Sequence, residues 1–168
     1  DPADPATDMG PVNSRVQHEK VLSFFETARN DGSRLMTGGK RPSGKGFEKG
    51  FWVEPTVYAE MKPGMRLWQE EVFGPILSVG KWKTVDEAVA LANSTEYGLT
   101  GAVWTNDIRD ALNVARRVRS GHLWINGCSS HFLSVPFGGM KNSGVGREEG
   151  IEEMLSYTEA KTINIMLG

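Results

Sequence analysis

Across residues 75–126 the sequence alternates strand-like and helix-like segments, and that alternation restricts the fold more than any other feature. Residues 76–82, 99–105 and 122–126 are apolar runs of strand length, punctuated by Gly74, Pro75, Gly98 and Gly121. Between them, Thr84 with Glu87 three positions on marks a helix start, and Val85, Ala88, Val89 and Ala92 keep a helical period. Asp107 caps a second helix, with Ile108, Ala111, Leu112, Ala115 and Val118 along one side. Strands joined by helical crossovers pair in parallel through right-handed connections, and parallel sheets are covered on both faces. The expected fold class is α/β: an open, parallel-rich sheet with helices on both faces.

The flanking segments add to this unit. Residues 1–13 are rich in Pro and Asp and show no period. Ser14 and Gln17 form a capping-box pair ahead of Val21, Phe24, Phe25 and Ala28, and Gly32 stops that amphipathic helix. Residues 34–37 read as a short strand, and Gly38, Gly39, Pro42, Gly44, Gly46 and Gly50 mark a long surface excursion after it. Beyond residue 126 come a glycine-rich loop to Gly146, a short helix over residues 148–156 and a final strand over residues 159–167. In that strand Ile163, Ile165 and Leu167 alternate with Thr162, Asn164 and Met166. A bare apolar edge is an aggregation hazard, so the strand is expected to pair in this sheet or against another subunit.

Bulk properties exclude several function classes. A length of 168 residues suits one domain, and a net charge of -2 supplies no basic field for nucleic acid or acidic membranes. No apolar run approaches the ~20 residues that span a bilayer, and the Asp-Pro-Ala start has neither part of a secretory leader. With a single cysteine, Cys128, the expectation is a cytoplasmic protein. Because the first residue is Asp1 and not Met, a fragment or a processed product is expected.

Two stretches carry the candidate chemistry. Gln69-Glu70-Glu71-Val72-Phe73-Gly74-Pro75 places two acids, an aromatic and a Gly-Pro turn ahead of a strand, and Pro75 fits only a strand's first residue or an edge. Glu71 and Phe73, two positions apart, can face the same way and offer a carboxylate and a flat ring to a ligand with a diol and an aromatic ring. Glu70 reads as a surface or structural acid. The second stretch is Pro136-Phe-Gly-Gly-Met-Lys-Asn-Ser-Gly-Val-Gly-Arg-Glu148.

In that order and at that separation, the two motifs resemble the NAD(P)-dependent aldehyde dehydrogenase superfamily, in its betaine-aldehyde-dehydrogenase-like branch. The resemblance runs from residues 4–11 to residues 157–162 and corresponds to the C-terminal part of the family's catalytic domain. It implies that residues 1–156 belong to that domain and that residues 157–168 form a terminal oligomerisation strand, giving a homo-oligomer through residues 159–168. The implied reaction is oxidation of an aldehyde to a carboxylic acid with NAD or NADP, NAD being favoured. By the same resemblance, Glu71 accepts both ribose hydroxyls, Phe73 touches the nicotinamide end, and Ser129, His131 and Phe137 line the substrate tunnel. An imidazole, His131, stands where the family often has a bulky aromatic. The family's cysteine nucleophile forms a thiohemiacetal and then, after hydride transfer, a thioester. By motif order that cysteine, the general-base glutamate and the cofactor fold lie upstream of residue 1, so the chain holds no catalytic residue and is expected to be inactive alone.

The remaining chemical residues have plainer readings. Cys128 stands in Asn126-Gly-Cys-Ser-Ser, outside the family's Gly-Gln-x-Cys context, and reads as a bystander thiol. Lys141, Arg147 and the intervening glycines could cradle a phosphate, but their spacing fits neither the P-loop nor the dinucleotide fingerprint, and a structural turn is the favoured reading. His131 has no partner evident in the sequence and reads as a polar wall residue before a base. His18 and His122 lack metal-ligand spacing, so no metal is expected. The competing function is a stand-alone interaction or scaffold domain that self-associates and binds no ligand.

Overall fold

Helix α1 (Arg15–Asn30) starts at Ser14, whose hydroxyl accepts the Gln17 N–H at 3.2 Å, and it ends in a Schellman turn. There Gly32 N–H donates to Arg29 C=O and Ser33 N–H to Ala28 C=O. The structure is a computed structural model that describes residues 1–168, and its backbone forms two units, residues 1–83 and 84–168. No helix is long and apolar enough to cross a membrane.

In the first unit the predicted stripe of α1, Val21, Phe24, Phe25 and Ala28, is buried at 2 % exposure or less. It packs with Val53, Tyr58, Met61, Leu67 and Val72 into one cluster. Each large apolar side chain removed from water stabilises the unit by about 1.5–3 kcal/mol. Burial also raises the Tyr58 phenol above its ordinary pKa, an effect that the nearby Arg29 charge partly opposes. Strands β1 (Arg34–Thr37), β2 (Thr56–Ala59) and β3 (Ile76–Ser78) form the sheet in that order. β1 meets β2 antiparallel with a bulge between Leu35 and Thr37, and β2 meets β3 parallel, Thr56 opposite Ile76. Pro75 stands where its missing N–H requires, just ahead of β3, with its carbonyl accepting Thr56 N–H at 2.9 Å. The single-turn helix α2 (Arg66–Gln69) precedes the acidic motif.

In the second unit α3 (Val85–Ala92) is capped by Thr84, whose hydroxyl accepts Glu87 N–H at 3.2 Å. Strand β4 (Thr100–Val103), helix α4 (Ile108–Arg117) and strand β5 (His122–Ile125) make a parallel β-α-β unit with Thr100 opposite His122 and Val103 opposite Ile125. The Asp107 carboxylate caps α4 through Arg109 N–H and Asp110 N–H. Asn93, at the end of α3, donates from Nδ2 to Arg117 C=O and accepts Arg119 N–H on Oδ1, tying both helix ends together. Gly121 is close to backbone: a Cβ there would lie 1.7 Å from Gly138 O, so no other residue fits. Helix α5 (Ile151–Ser156) closes the regular structure.

The α/β class and the predominance of parallel pairing hold, since two of the three ladders are parallel. The strands, however, fall into a three-stranded and a two-stranded sheet in place of one open sheet. The predicted strand over residues 76–82 is shorter because, after Val79 bonds to Tyr58 and Met61, the chain leaves the ladder at Gly80. On α4, Ala111, Val114, Ala115 and Val118 face inward while Ile108 and Leu112 are exposed, contrary to the predicted stripe. A two-stranded sheet offers a helix only a narrow strip, and Ala111 occupies it. The predicted strand over residues 159–167 does not form in this chain: residues 158–168 join no ladder and are exposed throughout. A strand exists only where a neighbour answers its N–H and C=O groups, and this chain supplies none there.

Candidate functional site

The acidic motif is clamped to α1. Gln17 Nε2 donates to Val72 C=O and to Phe73 C=O, both at 2.7 Å, and Lys20 Nζ donates to Glu71 C=O at 3.0 Å. Three successive carbonyls are thus held by one helix face. The clamp matters because Phe73 has φ 52, a left-handed conformation that costs a bulky residue roughly 1–2 kcal/mol. Hydrogen bonds worth about 0.5–1.5 kcal/mol each are enough to offset that strain. Gly74 lets the turn approach the helix, since a Cβ there would lie 2.5 Å from Val21 Cγ2.

The turn presents its side chains to solvent. Phe73 is 71 % exposed, with the Lys20 ammonium 5.8 Å from its ring centroid. Val72, between the two exposed residues, is buried and anchors the segment in the core. Phe73 and Gln17, with Val12 and Asn13, line a cleft of about 360 Å³. Glu71 is exposed, its carboxylate accepts no hydrogen bond within the chain, and it does not line that cleft. Glu70 pairs with Arg66 at 2.8 Å, and this hydrogen bond holds its carboxyl below the usual range. The structural reading of Glu70 therefore stands.

The second group of candidates lies wholly in the second unit. Trp124 Nε1 donates to Ser130 C=O at 2.8 Å, and Phe137 pairs with Glu148 through two backbone hydrogen bonds, so both ends of the loop are pinned. Inside it, the His131 ring lies 4.6 Å from Phe137, 6.2 Å edge-on from Trp124 and 6.3 Å from the stacked His122. His131 Nδ1 is 2.7 Å from Glu149 Oε1, the partner that sequence spacing does not reveal. Ser129 is exposed with φ 57 and joins neither the ring cluster nor the His131–Glu149 pair.

Other candidates resolve into structural roles. Lys141 donates to Asn93 C=O at 3.2 Å and Thr95 C=O at 2.8 Å, placing its charge at the C-terminal end of α3, where helix carbonyls attract a cation. Arg147 donates to Gly139 C=O and Gly146 C=O. Both cations thus hold the glycine-rich turn through backbone carbonyls and are not aimed at an open anion site. Cys128 is exposed with no base bonded to it, and no cluster of His, Cys, Asp and Glu is placed to hold a metal ion. Gln17, Lys20 and Glu149 are the residues that sequence reasoning missed. Gln17 carried a signal, but as the second half of a capping box, and its side chain reaches 55 residues away instead.

Comparison with known proteins gives matches to one family. The profile of the aldehyde dehydrogenase family matches residues 1–163. An aldehyde dehydrogenase of Talaromyces stipitatus is 44% identical over 168 residues, covering 98% of this chain and 33% of that protein. A betaine aldehyde dehydrogenase of Brucella anthropi is 42% identical, covering 100% of this chain and 34% of its own length. Among solved structures, an NAD-dependent aldehyde dehydrogenase from Sinorhizobium meliloti superposes with a TM-score of 0.92 at 40% identity, over 100% of this chain and 33% of that one. A betaine aldehyde dehydrogenase from Staphylococcus aureus in complex with NAD+ gives 0.88 at 42% identity, over 92% of this chain and 31% of that one. The chain spans about a third of the length of the curated relatives it matches.

Proposed function

The chain belongs to the aldehyde dehydrogenase family, and we propose that it supplies cofactor- and substrate-contacting residues to an enzyme that oxidises an aldehyde to a carboxylic acid with NAD. The observation that carries this reading is the clamped turn: Phe73 is held exposed in a left-handed conformation by Gln17, beside a cleft open to a ring-bearing ligand. In the proposed complex, Phe73 packs against the nicotinamide end, and the unpaired Glu71 carboxylate accepts two ribose hydroxyls. A nicotinamide bound there would accept a hydride from the substrate carbon after a nucleophile has added to the aldehyde. NAD is preferred to NADP in this proposal, supported by relatives described as NAD-dependent or in complex with NAD+. A cytoplasmic setting fits the single free thiol.

In the second unit, Ser129, His131 and Phe137 line the aldehyde's approach. The 168 residues offer no thiol with a base beside it, so the chain alone turns over no aldehyde. Residues 159–168 pair with a second copy of the chain; Ile163, Ile165, Met166 and Leu167 are 72% to 96% exposed and free to do so.

Two measurements test the proposal. In the aldehyde dehydrogenase that carries this sequence, Glu71→Gln raises the KM for NAD+ about tenfold, the worth of a charged hydrogen bond to a hydroxyl; an unchanged KM removes Glu71 from the cofactor. Deleting residues 159–168 lowers the oligomer mass in light scattering, and the same mass in both proteins refutes pairing through that segment.

A further inference from the structure

We propose that Glu149 is a positioning residue that fixes His131 with its proton on Nδ1, so that the free Nε2 accepts a hydroxyl of a hydroxylated aldehyde. This rests on the reading of His131 as substrate lining. A carboxylate can only accept a hydrogen bond, so at 2.7 Å from Glu149 Oε1 the proton belongs to Nδ1. Nε2 has no partner in the chain, so whenever the ring is neutral with its proton on Nδ1, Nε2 carries a free lone pair. The rings of Phe137, Trp124 and His122 surround the imidazole and limit its rotation.

Glu149 is itself built into place. It has φ 62, an uncommon conformation for a residue with a side chain, and its N–H donates to Glu153 Oε2 at 2.7 Å. Its neighbour Glu148 is paired through both backbone bonds with Phe137, the residue whose ring packs on His131. One short segment therefore sets the carboxylate, the ring behind the imidazole and the distance between them. The result is an imidazole acceptor packed among the rings of Phe137, Trp124 and His122, which orients an aldehyde by one hydroxyl on its carbon chain and gives less to an unsubstituted alkyl aldehyde.

Nitrogen NMR of the histidines in the 168-residue chain reads the first half directly. In its neutral form the His131 ring is expected as the Nδ1–H tautomer, and Glu149→Ala shifts it toward the Nε2–H tautomer that an unconstrained histidine side chain prefers. A wild-type ring already in the Nε2–H form overturns the proposal without need of any variant. The second half is read in the aldehyde dehydrogenase carrying this sequence, as the ratio of kcat/KM for glycolaldehyde over acetaldehyde. Glu149→Ala and His131→Phe should each lower that ratio about tenfold, the worth of one hydrogen bond, and the double variant should lower it no further. Turnover with an unaltered ratio overturns the positioning role while sparing the dehydrogenase reading; no turnover of any aldehyde by the wild-type enzyme defeats both.

Discussion

The first unit buries nine apolar side chains in one cluster around α1, whereas the second buries only Val89 and Ala111. The second instead leaves Leu133, Val145, Tyr157 and the terminal apolar residues largely exposed, and joins its segments through polar side chains bonded to backbone, among them Asn93, Lys141 and Arg147. The contrast shows two ways of holding a functional loop. Phe73 is fixed by a cored helix that reaches out with Gln17 and Lys20. His131 is fixed by a ring cluster and a carboxylate on a pinned loop, with little core beneath it.

The sharpest way to break the comparison is to remove core from each side. Phe24→Ala should cost about 3–5 kcal/mol in denaturant unfolding of the first unit. Val89→Ala, which removes two methyl groups from a sparse core, should cost about 1–2 kcal/mol; equal losses would mean that the second unit depends on burial as much as the first. Next in size is Asn93→Ala, which strands Arg117 C=O and Arg119 N–H and should destabilise the second unit by about 1–2 kcal/mol, read as faster exchange of the Arg119 amide. Unchanged exchange would show that polar bridging does not hold that unit.

The smallest effect concerns the Arg66–Glu70 pair. The Glu70 carboxyl is depressed by its hydrogen bond to Arg66, so its contribution is present above the ordinary carboxylate range and lost as pH falls through the lowered folded value. Because both partners are substantially exposed, with Arg66 N-terminal to Glu70, the pair is worth only about 0.2–0.5 kcal/mol. Glu70→Gln should remove that acid-side slope in a pH series of unfolding midpoints. A slope that survives assigns the pH dependence to another group and leaves hydrophobic burial as the first unit's main support.

Local features were legible in the sequence. Ser14, Thr84 and Asp107 cap their helices as their spacing predicts, the α1 stripe is buried, and Pro75 stands at the strand start. Helix caps and hydrophobic period act over three or four residues, so the residues themselves specify them. The acidic motif was legible as a site, but its support was not: Gln17 and Lys20 lie more than 50 residues earlier and meet it only after folding. The His131–Glu149 pair spans 18 residues and depends on the Phe137–Glu148 bridge, a contact with no sequence period.

By itself the sequence determined the α/β class, the starts of the capped helices, the core face of α1 and the two motifs, because each is written in neighbouring residues. The tertiary structure alone decided that the strands divide between two sheets, that Phe73 takes a left-handed turn, that Lys141 serves a helix end and that residues 158–168 remain without a ladder. Those outcomes depend on which distant carbonyl or ring is within reach, and reach is fixed only when the chain has closed on itself.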